Sequence, residues 1–233
     1  MTRTTNARLA GFAYLFYIAV ALPEMVLFGR ATDAVGIAAK LARIAEHVSD
    51  VRISMVLSLL SAFSALTLAV TLYAITRDED ADLAMLGLTC RVGEGVLGGI
   101  HILAMAGLLW LGTAAGPSAP DPAAAQALGA FLLKVGIWNT SIGATFFAVG
   151  STFFSYLLLR GRLIPVPLAW LGVFASILLV VGVPAQLIGL LKSPAADLIW
   201  IPIAAFEVPL GFWLLIKGVA PLRSINAPIA TAS

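Results

Sequence analysis

Charge is what this chain has least of. Only 11% of its 233 residues are Asp, Glu, Lys or Arg, against roughly 25% in an ordinary soluble chain. The 14 basic and 12 acidic residues leave a net charge of +2. That is too little and too scattered for a nucleic-acid partner, which needs Lys and Arg gathered on one face. Cysteine is nearly absent. Cys90 stands alone, so a disulfide within the chain and a Cys-based zinc or iron–sulfur site are both excluded. Histidine is limited to His47 and His101. What fills the sequence instead is apolar surface, 61% of residues, more than a soluble fold of this size can hide.

The apolar residues fall in six runs, at about 9–28, 53–76, 83–111, 131–159, 168–191 and 198–216. Each is long enough to cross a hydrocarbon layer about 30 Å thick at about 1.5 Å per helical residue. The expected fold is all-α: a polytopic membrane bundle of six transmembrane helices forming one domain over residues 1–220, with a disordered tail at 221–233. Within 31–50, Ile37, Leu41, Ile44 and Val48 recur at helical spacing on one face, and Lys40, Arg43 and His47 occupy another. That pattern suits an amphipathic helix lying at the membrane interface between the first and second spans, or equally a cap packed on the bundle. His47 reads as solvated rather than as a ligand. No repeat relates the two halves, so inverted-repeat transport logic gains no support.

With the N-terminus inside, Arg3, Arg8, Arg77, Arg160, Arg162, Lys217 and Arg223 fall on the cytoplasmic side. Arg30, Lys40, Arg43, Arg52 and Lys192 fall outside. The tight turns then obey the positive-inside rule, with both termini cytoplasmic. Ala19-Val-Ala21 after Arg3 and Arg8 has the form of a signal-peptide cleavage site, but the apolar run resumes after Pro23 and Glu24. A retained first helix is the expectation.

Ionisable residues inside the runs carry the functional information, because a charge at a helix centre costs about 2.5–3.5 kcal/mol on insertion scales and must face protein or water. These residues are Glu24, Arg91, Glu94, His101 and Glu207. At about 100° per residue, Gly87, Arg91, Glu94, Gly98 and His101 share one stripe of the third span. Arg91 and Glu94, at i,i+3, can pair directly. Glu207 reaches comparable depth on the returning sixth span, and Glu24 and His101 form a candidate outer pair. Gly95-x-x-x-Gly99 on the same helix offers a close-packing surface. Prolines 23, 202 and 209 bracket the two lone glutamates and each frees a carbonyl one turn earlier.

Several binding chemistries are set aside. A metal site of Glu24, Glu94 and His101 lacks ExxH or HxxxH spacing. Haem held by two histidines would require His47 in the apolar core. No cofactor, metal or catalytic residue is therefore assigned. Ser54, Ser58, Ser61 and Ala65 read as a small packing ridge, as do Ser151 and Ser155. Asn139, Thr140 and Ser141 read as capping a helix break more readily than as lining a polar mouth. Lys134 reads as snorkelling to the outer boundary, with Trp110, Trp138, Trp170 and Trp200 as interface anchors.

Four segments together carry a family resemblance: Arg8-Leu-Ala-Gly-Phe-Ala-Tyr14; Leu72-Tyr73 leading to Arg91-x-x-Glu94; Leu159-Arg-Gly-Arg-Leu-Ile-Pro165; and Glu207 followed by Trp213-Leu-Leu-Ile-Lys-Gly218. The chain resembles, from about Arg8 to Gly218, the uncharacterised bacterial six-span family catalogued as domain of unknown function 4386. Val166-Pro167 stands where that family usually has a basic residue. The resemblance implies a six-helix fold in a bacterial cytoplasmic membrane and no particular reaction, substrate or cofactor. The functional expectation is a buried polar site between the third and sixth spans, helped by the first, for a small ligand, an ion or a proton. One alternative is a structural or accessory membrane protein whose ion pairs only fix helix packing. The other is a membrane enzyme acting on a lipid-like substrate through Glu94 or Glu207. Membrane lipid is the expected surrounding partner, and no oligomeric state is read.

Overall fold

Side-chain caps set three of the eight helix starts among the described residues. In the computed structural model, which describes residues 1–117 and 119–220, Thr2 caps α1 (Arg3–Thr32) by accepting from the Thr5 amide at 3.1 Å. Gly36, at φ +83°, turns the chain into the short α2 (Ile37–Glu46), and α3 (Val48–Thr76) follows directly. Asp80 caps α4 (Ala81–Thr113) through the Leu83 amide at 3.2 Å. Asp121 caps α5 (Pro122–Arg160) through the Ala123 and Ala124 amides, with Pro122 preset for the first helical position. The remaining helices are α6 (Val166–Leu187), the single turn α7 (Ala195–Leu198) and α8 (Ile201–Ile216). The expected tail at 221–233 and its Arg223 lie outside the described residues.

Six helical stretches are long and apolar enough to cross a membrane, the last being α7 and α8 taken together. The helices α1, α3 and α5 begin five to nine residues before the apolar runs, and two boundaries late in the chain fall inside them. The fifth run stops at Leu187 rather than 191, because Pro184 denies its one-turn-earlier carbonyl a partner and Gly189, at φ +78°, turns the chain away. The last helix starts at Ile201 rather than 198. Its 16 residues span only about 24 Å, so the broken segment ahead of it completes the crossing. Ala196 and Ile199 in that segment are buried, and Ile199 fills the space left by Gly182 of α6.

The spans close into a ring in the order α1, α3, α4, α5, α6, α8 and back to α1. Glycine sets the last seam. A Cβ on Gly11 would strike the Leu215 amide and the Gly211 carbonyl, so α1 and α8 touch backbone to backbone there. Both described chain ends meet at one end of the ring, where the Ala220 amide donates to the Leu163 carbonyl at 3.0 Å. Arg3 donates to the Ile75 carbonyl at 2.9 Å and Arg160 pairs with Asp80 at 3.0 Å at that same end. The half of the ring nearest the termini is filled by a core that includes Ala7, Ala10, Tyr14, Leu72, Phe154, Phe206 and Leu210. At the opposite end Leu41 and Ile44 of α2 pack with Ala31, Val51, Leu108 and Leu111. The amphipathic segment thus forms a ten-residue helix that caps the bundle with its apolar side.

Candidate functional site

On α4, helical spacing brings Arg91 and Glu94 together. The guanidinium Nη1 stands 2.9 Å from Glu94 Oε2, with Arg91 1% exposed. Small residues make room for this arginine: a Cβ on Gly150 of α5 would press on the Arg91 stem, and one on Gly87 would meet the Phe154 ring. The guanidinium carbon lies 4.8 Å from the Phe147 ring centroid, a cation–π contact. The pair is close but poorly aligned, so Arg91 Nε and Nη1 and Glu94 Oε2 have no hydrogen-bond partner among the described residues. Tyr17 of α1 donates a long bond, 3.4 Å, to Glu94 Oε1.

Beyond this pair the ring is hollow. A cavity of about 430 Å³ is lined by Glu24, Glu94, His101 and Glu207 together with Tyr17, Asn139, Phe147 and Trp200. Four of the five expected ionisable residues, from α1, α4 and α8, therefore face one space. The fifth, Arg91, is outside the lining and sits behind Glu94 and Phe147. Glu207 is 7% exposed and its Oε1 has no partner among the described residues. It forms no ion pair with Arg91, so the arginine is committed to Glu94. Glu24 and His101 likewise form no ion pair with each other. They flank the junction with a second cavity of about 630 Å³, and both line each space, as do Thr140, Ala144 and Trp200. The second cavity runs past Phe28 and Thr32 of α1, Leu132 of α5 and Gln186 of α6, toward the end of the ring remote from the termini. His101 meets the edge of Phe28 there, and its Nδ1 has no partner among the described residues.

Other residues differ from their sequence reading. Asn139 caps no break: α5 is continuous through it, and its side-chain amide bridges to the Leu97 carbonyl of α4 at 2.8 Å. Trp200 is stacked on Phe147 at 6.4 Å between centroids and lines both cavities, rather than serving only as an interface anchor. Ser58 and Ser61 line the first cavity besides packing. Gly95 packs on Leu66 and Ala62 of α3, whereas Gly99 faces open space, so the GxxxG seam is only half used. Tyr17, about two turns before Glu24 on α1, went unread in the sequence, where nothing local signals its partner. His47, partly exposed, contacts Asp50 at 3.1 Å, away from the cavities.

A ring of six apolar helices around a carboxylate-lined hollow defines a multi-pass membrane protein with a buried polar site. The chain belongs to the family described as "Domain of unknown function (DUF4386)", whose model matches residues 9–218. No curated protein and no solved structure matches it.

Proposed function

We propose that the protein binds a small molecule, an ion or a proton within the membrane, with Glu207, Glu94, Glu24 and His101 as the contacting groups and Arg91 holding Glu94 in place. The single observation behind this is a shared hollow: Glu24, Glu94, His101 and Glu207, from three helices, line one cavity of about 430 Å³. The second cavity, which shares Glu24 and His101 with the first, carries its lining on toward the end remote from the termini. Ionisable groups converging on one hollow inside a helix bundle are the form expected of a binding protein. A purely structural ion-pair network would be dry and fully paired, whereas Glu207 lines the hollow and its buried Oε1 has no partner among the described residues. The membrane is the bacterial cytoplasmic membrane in this proposal, with both termini cytoplasmic because the tight turns at their end carry Arg77, Arg160 and Arg162.

Thiol accessibility tests it. In a Cys90→Ser background, Ser61→Cys places a nearly isosteric thiol on the cavity wall. It is expected to react with a small, charged methanethiosulfonate added from the side that labels Ala119→Cys, and not from the side that labels Asp78→Cys. No reaction from either side would show a sealed interior and return the charges to a packing role.

A further inference from the structure

Among the described residues three carboxylates, Glu24, Glu94 and Glu207, face the first cavity, and the one guanidinium nearby, Arg91, is committed to Glu94. Two carboxylates are thus left without a cationic partner in a low-dielectric setting, where an uncompensated charge is costly. Glu207 is the stronger case: it is over nine-tenths buried, its Oε1 is unpartnered, and it lines the cavity. The remaining ionisable groups near it are Tyr14, Tyr17 and Glu24 on α1 and Arg91, Glu94 and His101 on α4. The parts of α3 and α5 that line the cavity supply only neutral groups such as Ser58, Ser61 and Asn139.

The wall chemistry narrows what could supply the missing positive charge. Among the described residues, no three His, Cys, Asp or Glu side chains converge closely enough to hold a metal ion. The acidic groups are instead spread around a space whose wall carries the faces and edges of Tyr17, Phe147 and Trp200. Aromatic faces attract cations that shed water readily, and Phe147 already does so toward Arg91. A cavity of about 430 Å³ suits an organic molecule of drug-like size rather than a bare ion. Resting on the binding reading above, we propose that the ligand is a hydrophobic organic monocation, its charge set against Glu207 and Glu24 and its apolar body against the Phe147–Trp200 stack.

The test uses the full chain in lipid nanodiscs and two probes of nearly equal shape, methyltriphenylphosphonium and neutral triphenylphosphine oxide, in equilibrium dialysis. Saturable binding of the phosphonium is expected, about tenfold or more tighter than that of the oxide. Glu207→Gln, and separately Glu24→Gln at a half-buried position less tied to folding, are each expected to weaken the phosphonium severalfold and leave the oxide unchanged. If both probes bind equally and Ala204→Trp, which fills the cavity, abolishes both, the cationic class is wrong while the binding site stands. Absence of saturable phosphonium binding also overturns the class; if Ser61→Cys is then unreactive from both sides, the site reading falls with it. Binding that ignores both glutamine variants and Ala204→Trp overturns the placement of the ligand.

Discussion

Replacing Arg91 by Leu removes the cation that, among the described residues, contacts Glu94 and strands a carboxylate whose side chain is 9% exposed. Breaking a buried pair from one side costs about 3–5 kcal/mol, because the remaining charge keeps its desolvation penalty without its compensation. A smaller part, about 0.5–2 kcal/mol, is the lost cation–π contact with Phe147. Neutralising Glu94 as well removes the stranded charge but not the ring contact or the unfilled volume beside Gly150. The Arg91→Leu/Glu94→Gln double variant is therefore expected to sit only about 1–2 kcal/mol below the parent. The second change should thus recover about 2–3 kcal/mol of the Arg91→Leu loss. Glu207 makes no ion pair with Arg91, so Glu207→Gln should rescue Arg91→Leu by less than about 1 kcal/mol. Reversible unfolding of six proteins in mixed micelles (the parent, the three single variants and the two Arg91→Leu doubles), titrated with a denaturing detergent, measures both cycles. Additivity of Arg91 and Glu94 within about 0.5 kcal/mol, or stronger rescue by Glu207→Gln, would refute the pairing.

The ring's last seam gives a second expectation: Gly11→Ala should lose about 1–3 kcal/mol, since its new Cβ meets the backbone of α8 and cannot be absorbed by a side chain. Gly99→Ala, facing open space, should instead be neutral or gain up to about 1 kcal/mol from helix propensity in the same unfolding titration. At the terminal end, the Leu83 amide, with help from the Arg160 guanidinium, holds the Asp80 carboxyl below its ordinary range. A depressed acid stabilises the fold fully above its unfolded-state value and loses that contribution as pH falls through the folded-state value. The melting-temperature gap between the parent and Asp80→Ala is therefore expected at neutral pH and should close on acidification; a gap that widens would contradict the cap. Intact mass of the purified protein should retain Ala21 joined to Leu22, because α1 continues through that point into the Pro23 turn.

Hydropathy made the spans legible because the membrane requirement is written into every residue of a run, and the i,i+3 pairing of Arg91 with Glu94 is a purely local matter of helical geometry. The hollow was only half legible. Charge marked Glu24, Glu94, His101 and Glu207 as bundle-facing, but which of them share a space depends on the ring order, and that order rests on long-range packing such as Gly11 against α8. Depth along a helix placed Arg91 and Glu207 at one level, yet said nothing of rotation, and the arginine turned to Phe147 and Glu94 instead. Neutral polar residues were the hardest to read. Ser58, Ser61 and Asn139 satisfy packing and hydrogen-bonding patterns common to any membrane helix, so nothing local separates a seam from a cavity wall. The break ahead of α8 was partly legible: Lys192-Ser-Pro194 marks a turn, but 188–191 and 198–200 are apolar enough to pass for span, and only Pro184 and Gly189 hint at the earlier stop.

An experimental density map of the protein, extracted with its native lipid and resolved well enough to place side chains, tests the central claim most directly. The expected result is an open space of about 430 Å³ inside the ring, with density for a bound molecule or ordered water within hydrogen-bonding distance of Glu207 Oε1. A closed, dry interior in which Glu207 pairs with Arg91 and side chains fill the space between α1, α4 and α8 would contradict it.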